Sequence, residues 1–135
     1  MLLVLPACTI TTSVQPISRD LVKAVCISDN PDTWSKDFLP ALRAQFQRHG
    51  IATRVYSQDP PADCRFRVEY DANWGWDVAV YLKYLDVRIF DQDRLVGQAT
   101  YDARGGGGRL DKLGSTESKL ERIMTRLLTG ASAAD

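Results

Sequence analysis

No apolar run in this chain approaches the roughly 20 residues that a helix needs to cross a bilayer, so the sequence holds no helical membrane span. Net charge is equally absent, with 17 Lys and Arg set against 17 Asp and Glu. Without a basic stripe the chain lacks the electrostatic requirement for holding nucleic acid, and no nucleic-acid partner is expected. Without a polybasic patch it cannot grip anionic lipid headgroups by charge. Histidine occurs once, at His49, and the cysteines show no CxxC spacing, so nothing favours a metal site and no cofactor is expected. No repeat of fixed period is present, and low complexity is confined to residues 105–108 and the Ala/Ser tail.

What remains is ordinary globular material. At 135 residues the chain is one domain by size, and a hydrophobic share of 44% beside 25% charged residues supplies a core.

The first residues, Met1-Leu2-Leu3-Val4-Leu5-Pro6-Ala7-Cys8, form a short apolar run ending in a small residue and then cysteine. This resembles the end of a bacterial lipoprotein signal peptide, with Leu5-Pro6-Ala7-Cys8 in the place of the lipobox. It departs from that pattern in lacking a positive n-region and in the shortness of its apolar stretch, as a signal peptide truncated at its start would. The resemblance implies removal of residues 1–7 and lipidation of Cys8, with a membrane partner reached through that anchor. Residues 9–18, rich in Thr, Ser and Pro, have little to bury, so residues 8–19 read as anchor and flexible tether. By analogy with enterobacterial sorting, Thr9 after the cysteine favours an outer-membrane lipoprotein facing the periplasm. The competing reading is an apolar N-terminus on a cytosolic domain with no anchor.

Assigning Cys8 to lipid leaves an even pair, Cys26 and Cys64. Both sit in apolar, strand-like runs, and an oxidising periplasm permits a bridge between them. The alternative is two buried thiols acting as small hydrophobes.

Secondary structure follows from hydrophobic period. Residues 21–27 are apolar at nearly every position and read as an interior strand. Trp34, Phe38, Leu39, Leu42 and Phe46 recur at helical spacing, with Asp37 as a suitable N-cap, Pro40 near the start and Gly50 as the stop. Residues 51–56 form a short strand. Cys64, Phe66, Val68 and Tyr70 then alternate against Arg65, Arg67, Glu69 and Asp71, and apolar residues resume from Val78 to Ile89, giving two long antiparallel strands joined through Asn73-Trp74-Gly75-Trp76-Asp77. Residues 95–101 return as a further strand in which Gly97 and Ala99 leave room for a helix. Leu120, Ile123, Met124, Leu127 and Leu128 form one helical stripe, opened by a capping box at Ser118 and Glu121 or by an earlier start at Ser115 or Thr116, and closed by Gly130. The expectation is an α+β two-layer sandwich over residues 20–130, ordered β-α-β-β-β-β-α, with a mostly antiparallel sheet, both helices on one face and residues 131–135 frayed.

This order, with Cys64, Tyr70, Trp74, Trp76-Asp77, Tyr81 and Gly97-Gln98-Ala99, is similar to a family of small uncharacterised proteobacterial lipoproteins. The pattern is one of spaced residues and implies a fold rather than a reaction.

Candidate chemistry is sparse. His49 at a helix C-terminus reads as a cap rather than a catalytic base. The run at residues 105–108 lacks the Gly-Lys-Ser/Thr ending of a phosphate cradle and reads as a linker. Asp71 and Asp77 could serve a small glycan-acting hydrolase as paired carboxylates, or simply make turn hydrogen bonds. Trp74, Trp76, Asp77 and Tyr81 form a candidate surface for a glycan or an envelope protein, against which stands a lid closing the end of the core. Trp74 and Trp76 are expected to share a face. The functional expectation is a non-catalytic envelope lipoprotein, a tethered periplasmic binding or accessory module.

Overall fold

The computed structural model describes residues 10–18, 20–105 and 114–131. The expected anchor at Cys8, most of the glycine-rich crossing and the end of the tail lie outside the described residues. Strands β1 (Thr11–Gln15), β2 (Ala24–Ser28), β3 (Ala52–Tyr56), β4 (Phe66–Asp77), β5 (Ala79–Asp91) and β6 (Arg94–Asp102) make one sheet in the order β1-β6-β5-β4-β2-β3. β2 runs parallel to β3 and β4, and the remaining pairings are antiparallel. Helices α1 (Phe38–Arg48) and α2 (Thr116–Thr129) complete the two layers. The α+β architecture expected from the hydrophobic periods is the one observed.

One element departs from expectation. Residues 11–15, read as part of a tether, form edge strand β1, paired from Thr11 opposite Asp102 to Gln15 opposite Gln98. The physical reason is visible downstream. Ile17 is buried, and its backbone N–H donates to the Leu127 carbonyl at 3.0 Å, so this segment is docked to both layers.

The core lies between the helices and one face of the sheet. Phe66, Val68, Tyr70 and Ala72 of β4 meet Leu82, Leu85, Val87 and Ile89 of β5, with Ala99 and Tyr101 of β6. Phe38, Leu42 and Phe46 of α1 and Leu120, Ile123, Met124, Leu127 and Leu128 of α2 cover them. α1 follows Asp37, whose side chain makes no capping hydrogen bond, and Pro40 falls in the first turn, where its missing N–H is tolerated. His49 caps the other end as expected, with its ring Nδ1 2.9 Å from the Gln45 carbonyl oxygen. α2 begins one turn earlier than the Ser118 box, because the Ser115 hydroxyl accepts from the Ser118 backbone N–H at 3.1 Å. Gly130, at φ +73, closes it.

Gly97 is the point of closest approach. A Cβ there would stand 2.4 Å from Ile17 Cγ2 and 3.3 Å from Leu127 Cδ1. The missing side chain therefore admits the segment after β1 as well as the helix.

Cys26 and Cys64 are joined in a disulfide, with Cα atoms 6.3 Å apart, inside the range that a bridge spans. Cys64 precedes β4 and stands outside its alternation. Its partner Cys26 lies level with Arg67 and Arg54, so the bridge sits on the polar face of the sheet rather than with Phe66 in the core.

Two outcomes test this packing. Gly97→Val should destabilise the fold by about 1–3 kcal/mol through overpacking against Ile17, read from the urea midpoint at unchanged slope. In Cys8→Ser protein, a thiol reagent should find no free cysteine under denaturing conditions and two after reduction. Replacing Cys26 and Cys64 by serine should cost about 4 kcal/mol of unfolding free energy, because the bridge closes a loop of 38 residues.

Candidate functional site

The β4–β5 hairpin is built by alternation. Even-numbered residues of β4 face the helices, and odd-numbered ones face away. The helices do not reach the end of the hairpin, so its inner half is buried and its outer half stands clear. Trp74 marks the boundary. It is half-buried, with its ring 5.7 Å edge-on from Phe38 and 5.9 Å from Trp34. Its indole N–H donates to the Thr116 hydroxyl at 3.1 Å, which ties β4 to the first turn of α2.

Beyond that boundary the apolar side chains continue without cover. Trp76 is 74% exposed, Val78 79% and Val80 49%, and Trp34, leaning on Trp74, is 69% exposed. Trp74 and Trp76 do share a face of β4, but only Trp74 folds under. The lid and the exposed surface thus coexist two residues apart.

The turn is also displaced from where the sequence placed it. Residues 73–77 are strand, paired through Asp77 opposite Ala79, and Val78 alone reverses the chain at φ +66. A β-branched residue in that region is a conformational outlier, costing on the order of 1–3 kcal/mol. Hairpins ordinarily put Asn or Gly there. Here an unfavourable backbone holds an exposed apolar side chain at the tip of the hairpin. On the opposite face Tyr81 lies over Gly75, where a Cβ would approach the ring to 2.9 Å. Asp77 is exposed at the end of β4.

Asp71 and Asp77 do not come together. They stand six residues apart along one extended strand, about 20 Å, whereas carboxylates that flank a glycosidic bond lie within roughly 5–9.5 Å. Asp71 accepts instead from Arg88 at 3.1 Å and from Asn30 Nδ2 at 3.2 Å.

That pairing belongs to a network that sequence reasoning did not single out. On the polar face Asp86 is almost wholly buried, accepting from Gln98 Nε2 at 2.9 Å, from the Thr100 hydroxyl at 3.0 Å and from Arg88. Arg88 lies 3.8 Å from Glu69, and Arg67 donates to Glu69 at 3.4 Å and to the Gln92 carbonyl at 3.1 Å. Beside Phe66, which Asp91 pairs opposite, Arg65 donates to both oxygens of Asp91 and, as the leading cause, holds that carboxyl below the usual range. Arg104 does the same for Asp102, and Arg54, through a hydrogen bond to one oxygen, lowers Asp63 likewise. These carboxylates are occupied by guanidinium groups, and the face is cross-braced rather than open. The signal was available as Asp86 and Arg88 on alternate positions of one strand, opposite Asp71 and Glu69 on the next.

Asp86→Ala would leave Arg88, Gln98 and Thr100 each short of an acceptor. We expect a loss of about 1–3 kcal/mol, moderated by the contacts Arg88 keeps with Asp71 and Glu69. The urea midpoint measures it, and an unchanged midpoint would show that the network is only decoration.

No family model matches the chain, and neither does any curated protein. Among solved structures it is similar to the PelC dodecamer from Paraburkholderia phytofirmans, at a TM-score of 0.56 and 10% identity, over 94% of this chain and 100% of that one. A dodecamer of a PelC point variant from the same organism gives the same TM-score and coverage at 13% identity. At such identities the likeness is one of fold: the two-layer arrangement of this chain is shared along nearly the whole length of a PelC subunit.

Proposed function

We propose that this protein is a non-catalytic lipoprotein of the cell envelope, a tethered binding or accessory module held at the outer membrane through Cys8 and facing the periplasm. The observation that carries the binding role is the hairpin tip. Trp76, Val78 and Val80 stand exposed together, and a strained backbone at Val78 keeps them so. A large apolar patch retained at a conformational cost is the mark of a contact surface.

The disulfide supports an oxidising compartment, because such bridges persist outside the reducing cytosol. The fold's likeness to a subunit of the PelC dodecamer supports an accessory part within a larger assembly. The hydrolase alternative has lost its carboxylate pair to distance, and the cytosolic alternative sits poorly with the bridge.

Changing Cys8 to Ser and fractionating cells tests the anchor. The parent protein should sediment with outer membranes, and the variant should be released as soluble protein. A parent already soluble would overturn the lipoprotein reading. Photocrosslinking from position 76 in cells should then label an envelope component, while the same probe at Gln47, on α1, should not.

A further inference from the structure

The strand register fixes a relation between the hairpin tip and the chain's N-terminal end. Thr11 of β1 pairs with Asp102 of β6, Asp102 with Tyr84 of β5, and Tyr84 with Asn73 of β4. These four residues form one rung across the sheet. β1 and β5 both run antiparallel to β6, so residues before Thr11 and residues before Tyr84 leave that rung in the same direction. The β4–β5 tip and the N-terminal end of β1 therefore lie at the same end of the molecule.

The lengths also agree. Trp76 lies three residues beyond the rung on β4, about 10 Å, and Val78 lies about 16 Å beyond it. Cys8 precedes Thr11 by three residues, which span no more than about 11 Å fully extended. A lipid-bearing Cys8 could therefore stand no more than about 11 Å beyond the rung, so the level of Trp76 is close to the farthest it can reach and Val78 is past it.

We propose that the hairpin tip, Trp76 with Val78 and Val80 and with Trp34 beside them, seats in the headgroup region of the bilayer that carries the anchor. This rests on the lipoprotein reading and names the partner of its exposed patch as the lipid surface. The chemistry fits. Tryptophan settles at membrane interfaces, where an apolar ring and a polar N–H are both accommodated. The only charged side chain in the sequence from Trp74 to Leu82 is Asp77, so attraction to anionic lipid contributes nothing. The exposed patch, on the order of 500 Å², also falls short of the roughly 800 Å² per partner of a standard protein pair. A lipid surface sets no such minimum.

The test uses the full-length lipidated protein on phosphatidylcholine–phosphatidylethanolamine vesicles with brominated acyl chains, which quench nearby tryptophan. Parent protein should be quenched, and Trp76→Phe should lose more than half of that quenching. Val78→Asp should lose it too while still floating with the vesicles. Asp tolerates the left-handed backbone better than Val, so this variant should fold at least as well as the parent, as a thermal melt will verify. Protein that floats without Trp76-dependent quenching would overturn the tip contact and leave the anchor standing. Protein that does not float, and matches Cys8→Ser, would overturn the anchor and this inference with it. Quenching that needs anionic lipid and vanishes in salt would point to charge and refute the proposal. Self-association without vesicles that Val78→Asp abolishes would make a second copy the occupant instead.

Discussion

The organisation of this molecule depends on a mismatch of lengths. β4 and β5 are 12 and 13 residues long, roughly 40 Å each, while α1 and α2, with 11 and 14 residues, cover only about 16–21 Å. A hairpin of that length cannot be roofed by helices of that length. Its inner half makes the core with Phe38, Leu42 and Met124, and its outer half is committed to solvent or to a partner. Trp74 is the seam. Its ring packs on Phe38 and its N–H is held by Thr116, so the last covered residue of β4 also fixes where the helical layer stops.

The two faces of the sheet solve different problems. The helix side is held by apolar burial and by a close approach that only glycine permits at position 97. Among the described residues the other side has no covering helix or strand, yet Asp86 is nearly excluded from water and Cys26 is buried. Side chains of the sheet itself supply that cover. Arg67 and Arg88 pair with Glu69, Asp71 and Asp86, and the disulfide is attached at the middle of β2. That face is a layer of paired charges one side chain thick. Pairing at this depth gives geometric definition more than net stability, since the desolvation of each ion offsets much of the attraction.

Much of the fold was legible in the sequence because it rests on period and caps. The α2 stripe, Gly50, Gly130, His49 and the alternation from Phe66 to Tyr70 each state their role locally. The misses have physical causes too. β1 is polar and lies at an edge, so Thr11 to Val14 carried no alternation of buried residues, although their β-branched composition was a weak sign. The turn at Val78 was invisible because no turn-forming residue occupies it, and the Trp-Gly-Trp run drew attention to a place where the strand continues. Trp34 matched the helical spacing of α1 but precedes the helix, which starts only after Asp37. It belongs to the exposed patch and not to the helix. Of the site itself, Trp76 was legible and its isolation from Trp74 was not, since burial along one strand depends on where another element ends.

The same geometry decides which surfaces are left for a protein or glycan partner. If the hairpin tip and the anchor meet one membrane, the strands stand roughly along its normal. The β5–β6 turn at Gln92 and the Cys26–Cys64 bridge then lie at the far end, because Cys26 is level with Arg67 and Phe90, ten residues or more from Val78 along either strand. The braced polar face would look sideways, parallel to the membrane. A face whose charges are largely neutralised by its own ion pairs offers little to a charged ligand, because those charges are already paired. Edge strands β1 and β3 flank that face and offer unpaired backbone groups on both sides. In that orientation the disulfide would hold β2 to the segment entering β4 at the end away from the membrane.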